Sequence, residues 1–192
     1  AFLREKAPEL ILLAILAAGA WLRFRGRNWD ENQHLHPDER FLTMVESSIR
    51  IPSSLGEYFD TGASPLNPNN VGHTFFVYGT LPIFLVRFLA EWTGNSGYDE
   101  VVLLGRSVSA AFDLLTILFV YLVGRRLYSR RVGLLAAAFV AFSVLLIQHA
   151  HFFVVESFTV AFIAGGFYFA VRAMDTGRWA DYLLFGLFLG MA

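Results

Sequence analysis

Asp38 and Glu39 stand side by side in His34-Leu35-His36-Pro37-Asp38-Glu39-Arg40, the densest knot of ionisable groups in a chain that is otherwise greasy. Adjacent residues on a helix point about 100° apart, so these carboxylates would not share one proton as a dyad. They suit different jobs, one taking a proton from a substrate and one serving a neighbour or a metal. The plain alternative is a solvated first helical turn, where the helix dipole favours acids.

Three further groups have chemistry within reach. His149, His151 and Glu156 offer ligand types suited to zinc, or to manganese with carboxylate help. Interfacial histidines bonded to loop carbonyls, with Gln148 adding a polar group, are the other reading. Arg106 and Asp113 fall inside an apolar run, where charges are costly and face a partner, a cavity or the bundle interior. Seven residues separate them, roughly 10 Å along a helix, so each needs its own partner or water. Arg106 could hold a phosphate in a bidentate fork or pair with an outer-loop carboxylate. His36, His73 and Tyr78 are candidates to line a pocket with the acids, although a histidine in a polar loop is more often structural.

These groups must be positioned by membrane helices. The chain is 56% hydrophobic and 16% charged, with a mean hydropathy of +0.52. Soluble domains carry about 25% charged residues. A net charge of −1 gives no sign of nucleic acid, and the lack of cysteine excludes disulfides, thiolate metal sites and a cysteine nucleophile. Apolar runs predict spans at about 8–24, 101–123, 132–150 and 154–172, with a fifth starting near 181. Arg4, Glu5 and Lys6 before Pro8 suit the start of the first span, and Arg23 would end it by snorkelling to water. The fold class expected is all-α, a polytopic membrane bundle with an outer loop, 25–100, carrying amphipathic surface helices. Within that loop 37–50 reads as a helix with Phe41, Val45 and Ile49 on one face, opposite Arg40, Glu46 and Arg50. Residues 52–72 read as an ordered loop or lid. The abundant phenylalanine reads as lipid-facing.

Charge decides the topology. Arg125, Arg126, Arg130 and Arg131 form the strongest basic cluster and belong in the cytoplasm. With a cytoplasmic N-terminus, that holds only if 74–92 lies in the interface instead of crossing. The acids at 38–39 and the link 149–156 then face outward together. The start at Ala1 and the finish inside an apolar run suggest the N-terminal part of a longer protein, retained in a membrane that we expect to be a prokaryotic inner membrane.

The ordered series resembles a known family. An outer Asp-Glu follows the first span, then come an amphipathic helix, Gly105-Arg106-Ser107 opening a helix that ends Val120 to Tyr128, Gly133 to Ala137, Gln148 to Phe152 with Glu156, and Gly186 to Gly190. This is similar to the protein O-mannosyltransferase and aminoarabinose transferase group of GT-C glycosyltransferases. The resemblance implies a polyprenyl-phosphate sugar donor and transfer on the non-cytoplasmic side with inversion to a protein, lipid or glycan acceptor. It also implies Asp38 as base beside Glu39, Arg106 toward the substrate, and in some members a divalent metal (Mg, Mn or Zn). Asp often stands where Glu156 is, and Asp113 has no counterpart. The competing reading is a non-catalytic scaffold with protein partners in a larger membrane complex. A transporter fits less well, because no paired Gly/Pro-broken helices recur in two halves.

Overall fold

The computed structural model describes residues 2–192, with side chains from residue 6 onward. The described residues form α1 (Phe2–Phe24), α2 (Pro37–Ser48), α3 (Leu55–Phe59), α4 (Thr80–Thr93), α5 (Tyr98–Leu127), α6 (Arg130–Ala141), α7 (Val144–Ala150), α8 (Val155–Thr176) and α9 (Trp179–Met191). A 3-10 turn occupies Pro68–Val71, and no strand occurs among the described residues. The chain is thus an all-α membrane bundle. It divides into a membrane unit (Ala1–Gly26, Ser109–His151, Glu156–Ala192) and a loop unit (Arg27–Val108, Phe152–Val155), with α5 contributing to both.

Among the described residues, three helices are long and apolar enough to cross a bilayer: Lys6–Phe24, Tyr98–Leu127 and Val155–Thr176. These match the first, second and fourth expected spans. The backbone of α1 begins ahead of Pro8, while the side chains of Arg4 and Glu5 lie outside the described residues. The expected third span is not one straight helix. It breaks between α6 and α7 with a bend of 59°.

That break explains Arg23, which does not snorkel. A helix end leaves its last carbonyls without intrahelical donors. Arg23 is 0% exposed and donates from Nη1 to the Ala141 carbonyl (2.9 Å) and from Nη2 to the Val140 carbonyl (3.2 Å). Its Nε donates to Asp113, which neutralises it. A cation also suits the negative end of the α6 dipole. Asp113, unplaced by the family resemblance, is therefore the counter-ion of an arginine that caps a broken span. Two glycines let α5 and α6 approach closely around this core. A Cβ on Gly133 would lie 2.6 Å from the Tyr121 carbonyl oxygen, and one on Gly124 would lie 2.9 Å from the Gly133 Cα.

Ion pairs gather several helix ends of the membrane unit. Arg130 on α6 reaches Glu9 on α1 (3.5 Å), and Arg126 on α5 reaches Asp175 on α8 (2.7 Å). The start of α1, the end of α5, the start of α6 and the end of α8 thus share one end. At 14 residues, α4 is shorter than the roughly 20 that a span needs. Phenylalanines also pack between helices instead of all facing lipid: Phe112 sits 4.6 Å from buried Phe158, and Phe119 sits 5.4 Å from Phe188.

In the loop unit α2 packs on α4 through Leu42, Val45, Ile49, Ile83, Val86 and Ala90, all fully buried or nearly so. The amphipathic pattern placed Glu46 on the polar side. It is instead 0% exposed, and neither carboxylate oxygen has a hydrogen-bond partner. Burial pushes its carboxyl up to about 7, against the pull of Arg87 at 3.8 Å and with Glu91 nearby raising it further. Arg87 is occupied by Glu91 at 2.9 Å, and Glu91 also accepts from the Ile51 amide. A raised carboxyl makes the fold prefer the protonated form, so stability falls as pH rises from the usual carboxylate range to about 7 and is low above it. Glu46→Gln fixes the neutral form. It should raise the melting temperature at pH 8 by several degrees and flatten the pH 5–8 dependence of stability, an effect of about 3 kcal/mol at 1.4 kcal/mol per unit. Thermal unfolding of the purified protein at the two pH values measures it.

Candidate functional site

Pro37 opens α2 at a position where its missing N–H costs nothing, and the His36 ring accepts from the Glu39 amide (3.3 Å) as N-cap. This register sends the two acids in different directions. Asp38 is exposed, and its Oδ1 accepts a hydrogen bond from the Tyr78 hydroxyl at 3.0 Å. Glu39 is 0% exposed.

Glu39 is held by Arg106, whose Nε and Nη2 donate to its two oxygens at 2.8 and 2.6 Å. The Phe153 amide adds a bond of 2.6 Å to Glu39 Oε1. Arg106 also donates from both Nη atoms to Asp30, at 2.9 Å each, and to the Arg27 carbonyl at 2.7 Å. A guanidinium has five N–H donors, and all are used. The ring of Trp29 lies 5.4 Å from its carbon. Arg106 is 0% exposed, so the expected phosphate fork is not offered: the residue is the centre of a buried ion network, as is Glu39. The hydrogen bonds from Arg106 hold the Asp30 carboxyl below the usual carboxylate range, so its contribution to stability is present near neutral pH and is lost on acidification.

The network also anchors the loop ahead of α2. Glu31, Asn32 and His34 have φ of 50°, 63° and 49°, a left-handed run that costs roughly 1–2 kcal/mol for each residue with a Cβ. Asp30 accepts from Arg106 and from the Leu35 amide, and His34 pairs with Asp99 at 2.8 Å.

Gly105-Arg106-Ser107 thereby acquires a physical account. Gly105 leaves room for the buried Phe153 ring, whose amide reaches Glu39; any Cβ there would lie within that ring. Arg106 holds the acids, and Ser107 accepts from Arg27. Gly105→Ala should displace Phe153, cost about 1–3 kcal/mol by overpacking, and show as a lower melting temperature.

The two loop histidines are engaged. His36 caps α2 and lies 4.3 Å from the Phe152 ring, and His73 Nε2 is 3.0 Å from the Ser48 hydroxyl. Phe41, His73, Phe76 and Tyr78 form a ring cluster next to Asp38, with centroid separations of 6.0–6.4 Å.

In the membrane unit the proposed metal trio does not assemble. Both ring nitrogens of His151 lie at backbone carbonyls, of Ile147 at 2.8 Å and Arg25 at 2.9 Å, so each already faces a protein oxygen. No three His, Asp or Glu side chains among the described residues are placed to hold one ion. His149 and Glu156 do line one cavity of about 220 Å³, together with Asp113 and Ser157.

Two participants escaped sequence reasoning. Asp30 is one acid among several polar loop residues, and its partner lies 76 positions away. Arg27, exposed beside a cavity of about 260 Å³ with Asn95 and Ser107, carried no local signal at all.

A family model described as dolichyl-phosphate-mannose-protein mannosyltransferase matches residues 81–192, more than half of the chain. The match takes in Arg106, His149, His151 and Glu156, and begins after Asp38 and Glu39. No curated protein and no solved structure matches the chain.

Proposed function

The chain belongs to the dolichyl-phosphate-mannose-protein mannosyltransferase family, membrane glycosyltransferases of the GT-C type, and on that premise we propose that it moves a sugar from a polyprenyl-phosphate donor to an acceptor hydroxyl on the non-cytoplasmic face. The observation that carries this reading is the division of labour at 38–39. Glu39 is locked to Arg106, while Asp38 stands exposed with one oxygen bonded to Tyr78.

In this reading the free oxygen of Asp38 takes the acceptor proton as the acceptor oxygen attacks the anomeric carbon. The bond from that carbon to the phosphate oxygen breaks, the electron pair leaves with polyprenyl phosphate, and the configuration inverts. The help of Asp38 comes from placement and late proton transfer. Because Arg106 is fully committed, exposed Arg27 is the cation we assign to the departing phosphate. The end of the membrane unit that gathers Arg126 and Arg130 is cytoplasmic, by the bias of basic loops, which puts the N-terminus inside. The membrane is a cell inner membrane.

Reconstitution into vesicles with a labelled polyprenyl-phosphate sugar tests the proposal. Release of polyprenyl phosphate with label passing to an acceptor is expected. Absence of both donor binding and turnover, with stoichiometric partners copurifying, would give the case to the scaffold reading.

A further inference from the structure

A cavity of the loop unit, about 360 Å³, plays no part in the chemistry above. Its walls include the rings of Tyr58 and Phe59 on α3 and of Phe84 on α4, with the polar side chains of Ser64, Asn67 and Thr80 between them. None of its lining residues is charged. The rings are presented to solvent: Tyr58 is 44% and Phe59 73% exposed.

The cavity is also preformed, as ligand sites tend to be. The loop behind it is tied by its own side chains. Asn67 Nδ2 donates to the Thr61 carbonyl (2.9 Å), and Asn70 Nδ2 donates to the carbonyls of Thr61 (3.1 Å) and Ser64 (3.0 Å). Ser54 caps α3 by accepting from the Glu57 amide at 3.1 Å. The rings therefore sit on a braced loop.

Its place in the chain ties it to the candidate base. Thr80 on the cavity wall is two residues after Tyr78, whose hydroxyl bonds Asp38.

From this we infer that the cavity binds an uncharged saccharide, the acceptor chain or its part next to the reacting hydroxyl. The absence of lining charge argues for a neutral ligand. Flat ring faces match the C–H faces of a sugar, and hydroxyl and amide groups beside them match its hydroxyls. The assignment as acceptor site rests on the transferase reading; the binding of a saccharide does not.

The test is saturation-transfer NMR on the whole chain in nanodiscs, with maltotriose, mannotriose and chitotriose, and a neutral Ser/Thr-rich peptide for comparison. Transfer from aromatic protons to at least one trisaccharide is expected, with affinity about five- to tenfold weaker in Phe59→Ala and in Tyr58→Ala. Both ring variants alter exposed side chains and should fold. No transfer to any trisaccharide, equal affinity in the ring variants, or binding of the peptide alone overturns the inference. Because the readout is binding without turnover, trisaccharide binding that survives in a protein with no transferase activity would count against the proposed function and not against this site.

Discussion

Asp38→Asn is expected to lower sugar transfer by about 10²- to 10⁴-fold, the usual worth of a positioned general base, while leaving the protein folded. The two halves of that expectation have separate physical grounds. An asparagine still accepts from the Tyr78 hydroxyl and keeps the shape of the site, but it cannot take up the acceptor proton. Asp38 is exposed and its single side-chain partner is Tyr78 among the hydrogen bonds described, so the change should stay within about 0.5 kcal/mol of wild-type stability. Transfer of label from a polyprenyl-phosphate sugar, measured beside a thermal melt, reads both. Undiminished transfer in this variant would end the assignment of Asp38 as base.

Arg106→Ala should show the opposite pattern, with the fold failing and activity lost as a consequence. The substitution leaves Asp30 and Glu39, 1% and 0% exposed, facing one another without a counter-charge. Breaking a buried pair costs about 3–5 kcal/mol, a large share of the stability of most domains. Arg106→Lys should fare little better, because one ammonium cannot reproduce a planar fork that spans two carboxylates and a carbonyl. Replacing Arg106, Asp30 and Glu39 together by apolar residues of similar volume should cost less than Arg106→Ala alone, since no charge is then stranded. Yield after detergent extraction and the melting temperature rank the variants. A stable Arg106→Ala protein with normal transfer would contradict the network.

Much of the architecture was legible in residue order because spans and loops are written in local composition. The runs near 8–24, 101–123 and 154–172 are helices, and α4, at 14 residues, is shorter than a span. What failed to show depends on partners far along the chain. The 100° between Asp38 and Glu39 implied different roles, but which acid turns inward is decided by Arg106, 67 residues later. Seven residues between Arg106 and Asp113 implied separate partners, and they have them in Asp30, Glu39 and Arg23. Glu46 looked solvated because Arg40 and Arg50 share its face by pattern, and only Arg87 from α4 makes its burial tolerable. The bend at 142–143 has no proline or glycine to announce it, and hydropathy averages across it.

Arg23 carries a consequence for how the protein is made. It leaves the ribosome 90 residues before Asp113 and 118 before the Ala141 carbonyl. During that interval the first helix holds a lone cation, which insertion into lipid penalises by about 3 kcal/mol at mid-bilayer. One residue from its helix end, the guanidinium can wait at the headgroup level. Arrival of α5 and α6 then draws it inward, so the final depth of the first helix is set by segments translated after it.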